Sequence, residues 1–173
     1  MWLYADIKTL GDIPRYYAKT KGAETALIKV SGAKVSWNEL NEASNRMANL
    51  LLGLGITAGA HVSFLGKNAA EYFEVLFGAN KIGCGMLALN WRLSAGELAV
   101  VVEDAKTPIV FVDKEYLGLL ADIRQRTSAQ FIAIEYDSTH TDSTELREKL
   151  AAVSPADPGI NVSQEETAVL LYT

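Results

Sequence analysis

The chain predicts an α/β fold: a layered, mostly parallel sheet with helices on both faces. Three observations predict it. Short apolar runs alternate with amphipathic stretches as far as residue 135, the rhythm of repeated strand–helix–strand units. The run C-G-M-L-A-L at 84–89 is apolar without alternation, as in a strand covered on both sides. Finally, Ser36 with Glu39 and Ser94 with Glu97 stand three residues apart ahead of apolar periodicity, which is the reciprocal side-chain cap of a helix start. Right-handed crossovers then give a doubly wound layer structure.

The elements follow in order. Residues 3–20 form a helix around Ile7, Ile13 and Tyr17, with Gly11 and Pro14 against an early start. Residues 25–30 alternate into a strand, S-G-A-K turns, and 34–36 return as its short partner. The helix at 37–54 puts Leu40, Met47, Leu50, Leu51 and Leu54 close to one face and ends at Gly53-Leu54-Gly55. A strand at 61–65 follows. Asn68 and Glu71 are spaced to cap the next helix, which runs to about Lys81 through Phe73, Leu76, Phe77 and Asn80. After the strand at 84–89 come a helix from the Ser94 cap to near Asp104, a strand at 108–112, a helix at 115–126 and a strand at 130–135. Residues 136–166 are rich in Asp, Ser, Thr and Pro and are predicted as a surface excursion with one helical patch at 144–153. Residues 167–173, T-A-V-L-L-Y-T, read as a final buried strand.

Composition narrows the function classes. A chain of 173 residues is one domain or one large subdomain, and 49% apolar residues are enough for a sizeable core. The net charge of −5, with Lys and Arg outnumbered and never clustered, argues against a nucleic-acid surface. Cys84 is the sole cysteine, which excludes an intrachain disulfide; in its apolar run it is a small buried hydrophobe rather than a nucleophile. The N-terminus lacks a basic segment followed by an apolar run. The longest uncharged stretch, 47–60, carries Gly53, Gly55 and Gly59 and is too short to span a bilayer. No transmembrane segment and a cytoplasmic location are therefore expected.

Several motifs fail on context. G-C-G-M-L-A at 83–88 fits a dinucleotide fingerprint in letters, but that fingerprint needs its glycines between a strand and a following helix. Here they follow a helix and lead into a strand, as a helix C-cap and turn. His61 and His140 are far apart and form no metal-ligand spacing, and His61 is expected at the surface. No G-x-S-x-G elbow occurs. Glu103 and Asp104 close a predicted helix and read as a solvated helix end.

Three stretches nevertheless resemble, in order, motifs of AMP-forming acyl-CoA synthetases, the adenylate-forming enzymes. V-S-W-N-E-L at 35–40 is similar to [LVF]-[ST]-[YW]-x-E-L. G-A-N-K-I-G-C-G-M-L-A-L-N-W-R-L at 78–93, with Glu97-Leu98, resembles A-x-x-K-x-G-A-x-x-x-P-L-N-x-R-L-x-x-x-E-L. Ala88 stands there where the family often has Pro, which loosens a turn. The third is T-A-V-L-L-Y-T at 167–173. The resemblance covers roughly 7–173, and L-N-x-R-L favours acyl- and aryl-CoA synthetases over peptide-synthetase adenylation domains.

The resemblance implies the N-terminal subdomain of the adenylating domain, truncated before the phosphate loop S-G-T-T-G-x-P-K-G and the C-terminal lid. It implies ATP, Mg²⁺ and CoA as the full enzyme's cofactors and a fatty or related carboxylic acid as substrate. It assigns no catalytic residue to this segment. Thr173 would open the phosphate loop and Tyr172 would anchor the strand presenting it. Asn90 and Arg92 would be scaffold, a turn-stabilising amide and a guanidinium paired with backbone or carboxylate. The segment alone would be inactive, bind no cofactor tightly and self-associate. An aryl-acid or carrier-protein-loading enzyme, or a non-catalytic interaction module, are the alternatives.

Overall fold

The computed structural model describes residues 6–139 and 144–172. Its first half comprises α1 (Asp12–Lys21), the antiparallel hairpin β1 (Thr25–Ile28) and β2 (Lys34–Ser36), α2 (Trp37–Gly53), β3 (His61–Leu65), α3 (Ala70–Asn80) and β4 (Gly85–Leu89). Then follow α4 (Ala95–Ala105), β5 (Ile109–Asp113), a 3₁₀ turn at Lys114–Tyr116 running into α5 (Leu117–Arg124), β6 (Ile132–Tyr136), α6 (Glu145–Ala151) and β7 (Val169–Leu170). Five strands form one parallel sheet in the order β6-β5-β3-β4-β7.

Strand periodicity explains the absence of alternation in the sequence. Val62, Phe64, Met86, Ile109, Phe111 and Ile134 face a core closed by Met47 and Leu51 of α2, Val75 of α3 and Leu146 of α6. Their neighbours Leu65, Leu87, Leu89, Val110 and Val112 face Leu98 and Val102 of α4 and Leu120 and Ile123 of α5. The central strands therefore carry apolar residues on both faces. Helix α3 crosses from β3 to β4 on the first face and α4 from β4 to β5 on the second. The chain thus leaves β3 and β4 to opposite sides of the sheet.

Both serine capping boxes form: Ser36 Oγ accepts from the Glu39 amide and Ser94 Oγ from the Glu97 amide, with each glutamate closing back on its serine. Tyr17 stacks on Trp37 at 4.6 Å between ring centroids, which seats α1 on the start of α2.

The structure corrects several expectations. Helix α1 starts at Asp12, not at residue 3. Asp12 accepts from the Lys8 and Thr9 amides and holds the preceding chain in a turn. Gly11 lies against the end of α3, where an added Cβ would come within 2.8 Å of the Lys81 amide nitrogen; residues 3–5 lie outside the described residues. The Asn68–Glu71 cap does not form. Ala69 is the N-cap of α3 and contributes no side-chain bond, because Glu71 is drawn instead to Arg147 of α6 at 2.5 Å.

Residues 136–166 are not merely a surface excursion. Tyr136 completes β6, and Leu146 and Leu150 of α6 are buried in the core. The final strand is shorter and more open than predicted: β7 is a half-buried pair of residues, with Leu171 78% exposed. As the outermost strand it has one neighbour, β4, among the described residues. His61 is half-buried, its Nδ1 3.3 Å from the Ala105 carbonyl oxygen. Glu103 and Asp104 are not idle. Glu103 accepts from Thr127 and Ser128 at 3.1 and 2.7 Å, and Asp104 from Tyr172.

Candidate functional site

Open parallel sheets take ligands outside the carboxyl ends of their strands, where successive crossovers leave to opposite faces. Here that point lies beyond Leu65 and Leu89. The turn after β4 is built by Asn90, whose Oδ1 accepts from the Arg92 amide at 3.1 Å, as expected of a turn-stabilising amide. Arg92 departs from its expected pairing: its guanidinium lies 4.0 Å over the Trp91 ring.

Lys67, just past β3, reaches the same aromatic group. Its Nζ is 5.5 Å from the Trp91 centroid and 5.9 Å from that of Tyr116, and it donates to both Glu115 oxygens at 2.8 Å. The bond to Glu115 raises the lysine's pKa and keeps it charged. Trp91 and Tyr116 lie 5.7 Å apart, so two cations flank an aromatic pair at the carboxyl edge.

Deeper in the edge, the Asp113 carboxylate accepts from the Glu115 amide and from the Ser138 hydroxyl. The Tyr136 hydroxyl is buried against Gly66, where no Cβ could fit. It has no partner among the described residues, and neither does the buried Tyr116 hydroxyl. Burial, with Asp113 adding to it, pushes the Tyr136 phenol well above its ordinary range.

Of the two predicted near-site residues, Tyr172 donates its hydroxyl to Asp104 Oδ2 at 2.6 Å, tying the end of β7 to α4. That bond raises its pKa. Thr173, like His140, lies outside the described residues. Cys84 behaves as a buried hydrophobe: its thiol donates to the Thr57 carbonyl at 3.0 Å, and burial pushes it up to about 11. Gly83 (φ +76) and Gly85 form the predicted turn from helix into strand. No cluster of three His, Cys, Asp or Glu side chains able to hold a metal occurs among the described residues, and no helix among them is long and apolar enough to cross a membrane. The edge thus offers fixed charge, stacking surface and a strand end.

Fold and edge together define a doubly wound α/β domain whose crossovers change sides at the β3–β4 switch. The family model for AMP-binding enzymes matches residues 15–173, and the chain belongs to that family. Among curated proteins it is 29% identical over 167 residues to the crotonobetaine/carnitine–CoA ligase of Escherichia coli, covering 90% of this chain and 32% of that protein. It is 23% identical over 168 residues to a long-chain-fatty-acid–CoA ligase of Mycobacterium tuberculosis, covering 96% and 33%. A fatty acid–[acyl-carrier-protein] ligase of Streptomyces coeruleorubidus is 30% identical over 113 residues, covering 65% and 22%.

Among solved structures, a Mycobacterium tuberculosis fatty acyl CoA synthetase superposes with a TM-score of 0.86 at 24% identity, covering 97% of this chain and 33% of that one. An anthranilate CoA ligase in complex with anthranoyl-AMP gives 0.85 at 20% identity, covering 95% and 31%. The chain therefore spans a fifth to a third of the length of these proteins. The structural likenesses show the same α/β layer.

Proposed function

We propose that this chain is part of an ATP-dependent ligase that activates a fatty or related carboxylic acid and passes the acyl group to CoA. A carboxylate oxygen bonds to the α-phosphorus of ATP as the bond to pyrophosphate breaks, giving an acyl-adenylate. The CoA thiol, losing its proton, then adds to the acyl carbonyl and AMP leaves with the electron pair. The observation that supports this most is the family match across 15–173, which takes in β7 beside β4 with Tyr172 anchored on α4. In that reading Thr173 opens the phosphate loop, Mg²⁺ accompanies ATP, and the enzyme works in the cytoplasm, where ATP and CoA are available.

One alternative acceptor has specific support. The Streptomyces relative is named for an acyl-carrier protein, so holo-carrier phosphopantetheine is the second reading. The native gene product, given ATP and a panel of carboxylic acids, is expected to release AMP and form a thioester with CoA. Thioester on holo-carrier alone would favour the second reading, and AMP release with neither acceptor would overturn both.

Residues 1–173 alone are proposed to be silent in this assay, since their sequence holds no counterpart of the phosphate loop. The isolated chain is also proposed to self-associate through the outer edge of β7 beside Leu171. A monodisperse monomer in sedimentation at high concentration would contradict that.

A further inference from the structure

The segment from the end of α6 to β7 crosses behind the sheet with little regular structure, so side chains satisfy its carbonyls. Arg46 donates to the Leu150 and Val153 carbonyls, Asn45 to that of Pro155 and Asn49 to those of Ser154 and Ala156. Two consecutive buried residues at the end of α3 grip its remainder. Lys81 Nζ donates to Asn41 Oδ1 at 2.6 Å and Asn45 Oδ1 at 2.5 Å and lies 3.6 Å from Asp157 Oδ2. Asn80 Nδ2 donates to the Ala168 carbonyl at 3.1 Å, the same oxygen that accepts from the Met86 amide in the sheet.

We propose that Asn80 and Lys81 are positioning residues for β7: Lys81 holds the crossing segment at Asp157, Asn80 holds its far end at Ala168, and together they set where the last strand lies. Among the described residues, β7 pairs with β4 only through Met86–Val169 and Leu87–Leu170, too little to fix it alone. Gly85 admits the close approach, since a Cβ there would lie 2.9 Å from the Thr167 carbonyl. The consequence for catalysis rests on the proposed function, in which β7 presents the phosphate loop; the positioning itself does not.

The charged groups facing Lys81 are Asp157 from the crossing segment and Asp12 and Arg15 from α1, with Arg15 also donating to Asp157 at 2.6 and 3.0 Å. Asn41 and Asn45 are the neutral partners from α2. Burial, the largest effect, lowers the ammonium to about 8, against the pull of Asp157.

The test is pulse-labelled hydrogen exchange of the native gene product, reading peptides over 157–171, which needs no substrate and so fails independently of the ligase assay. Asn80→Ala is expected to speed exchange at 168–171 about five- to tenfold, the worth of one buried hydrogen bond. Lys81→Met, which removes the donor to Asn41, Asn45 and Asp157, is expected to speed exchange over 157–171. Should Lys81→Met fail to fold, Asp157→Asn replaces it, with faster exchange around residue 157 expected. Unchanged protection at 168–171 in Asn80→Ala, or over 157–171 in Lys81→Met, would overturn the proposal.

Discussion

Replacing Arg147 with Met should destabilise the chain more than any other single change near α6. Its guanidinium donates to Glu71 at 2.5 Å and to both Glu74 oxygens at 2.7 and 3.1 Å. Those carboxylates belong to residues that are 8% and 7% exposed. Removing the cation leaves two buried acids facing each other, a loss of about 3–5 kcal/mol for a broken buried pair. With a urea slope of about 2 kcal/mol/M, the unfolding midpoint of the chain should fall by about 2 M. Removing both acids as well, in Arg147→Met with Glu71→Gln and Glu74→Gln, should recover most of that loss, because no charge is then stranded.

The triad carries one carboxylate more than its cation, and burial pushes Glu74 above its ordinary 4.5. The folded state therefore holds that proton more tightly than the unfolded chain, so the stabilisation it gives is present in acid and lost as pH rises through the folded value. The Arg147→Met deficit should accordingly be smaller at pH 5 than at pH 8. A midpoint shift below 0.5 M (about 1 kcal/mol at that slope), or a triple variant no better than the single one, would refute this account of α6.

Four further outcomes are expected. Tyr136→Phe, which removes a buried hydroxyl without a partner among the described residues, should raise stability by about 1 kcal/mol. Gly66→Ala, which drives a methyl into that hydroxyl, should cost about 1–3 kcal/mol and much less in the Tyr136→Phe background, as a double-variant thermal melt would show. Lys81 is held near pH 8, below its ordinary 10.5. At that site the unfolded chain thus binds more protons between those values, so across that window the wild type should gain up to about 3 kcal/mol relative to Lys81→Met; denaturant titrations of both proteins test this, and an unchanged difference between them would refute it. Ser36→Ala should cost about 1 kcal/mol by opening the α2 cap, which an equilibrium unfolding midpoint would register.

Where a segment carried two agreeing local signals, its structure was legible. Helices α2 and α4 have both a serine–glutamate cap and an apolar stripe, and β3 to β6 are short apolar runs bounded by turns. Where distant partners decide, local pattern misled. Asn68 and Glu71 have cap spacing, yet Arg147, 76 residues away from Glu71, takes the carboxylate. Leu146 and Leu150 are sparse among charges, so α6 looked like surface although it closes the core.

The candidate site divides the same way. Asn90, Trp91 and Arg92 form a contiguous block in the motif, where Asn90 and Arg92 read as scaffold. Lys67, Glu115, Tyr116 and Tyr136 reach the edge from the ends of three other strands, and only the β6-β5-β3-β4-β7 order assembles them. Asn80 and Lys81 were visible as motif letters, while their grip on Ala168 and Asp157 depends on a chain crossing that no local pattern encodes.

Carboxylate-dependent exchange of labelled pyrophosphate into ATP by the native gene product tests the central claim most directly. It isolates the first chemical step and needs no knowledge of the thiol acceptor. Exchange that appears only when a suitable carboxylic acid is present is the predicted result. Absence of exchange with every acid in a broad panel, in a protein that binds ATP, would contradict the account.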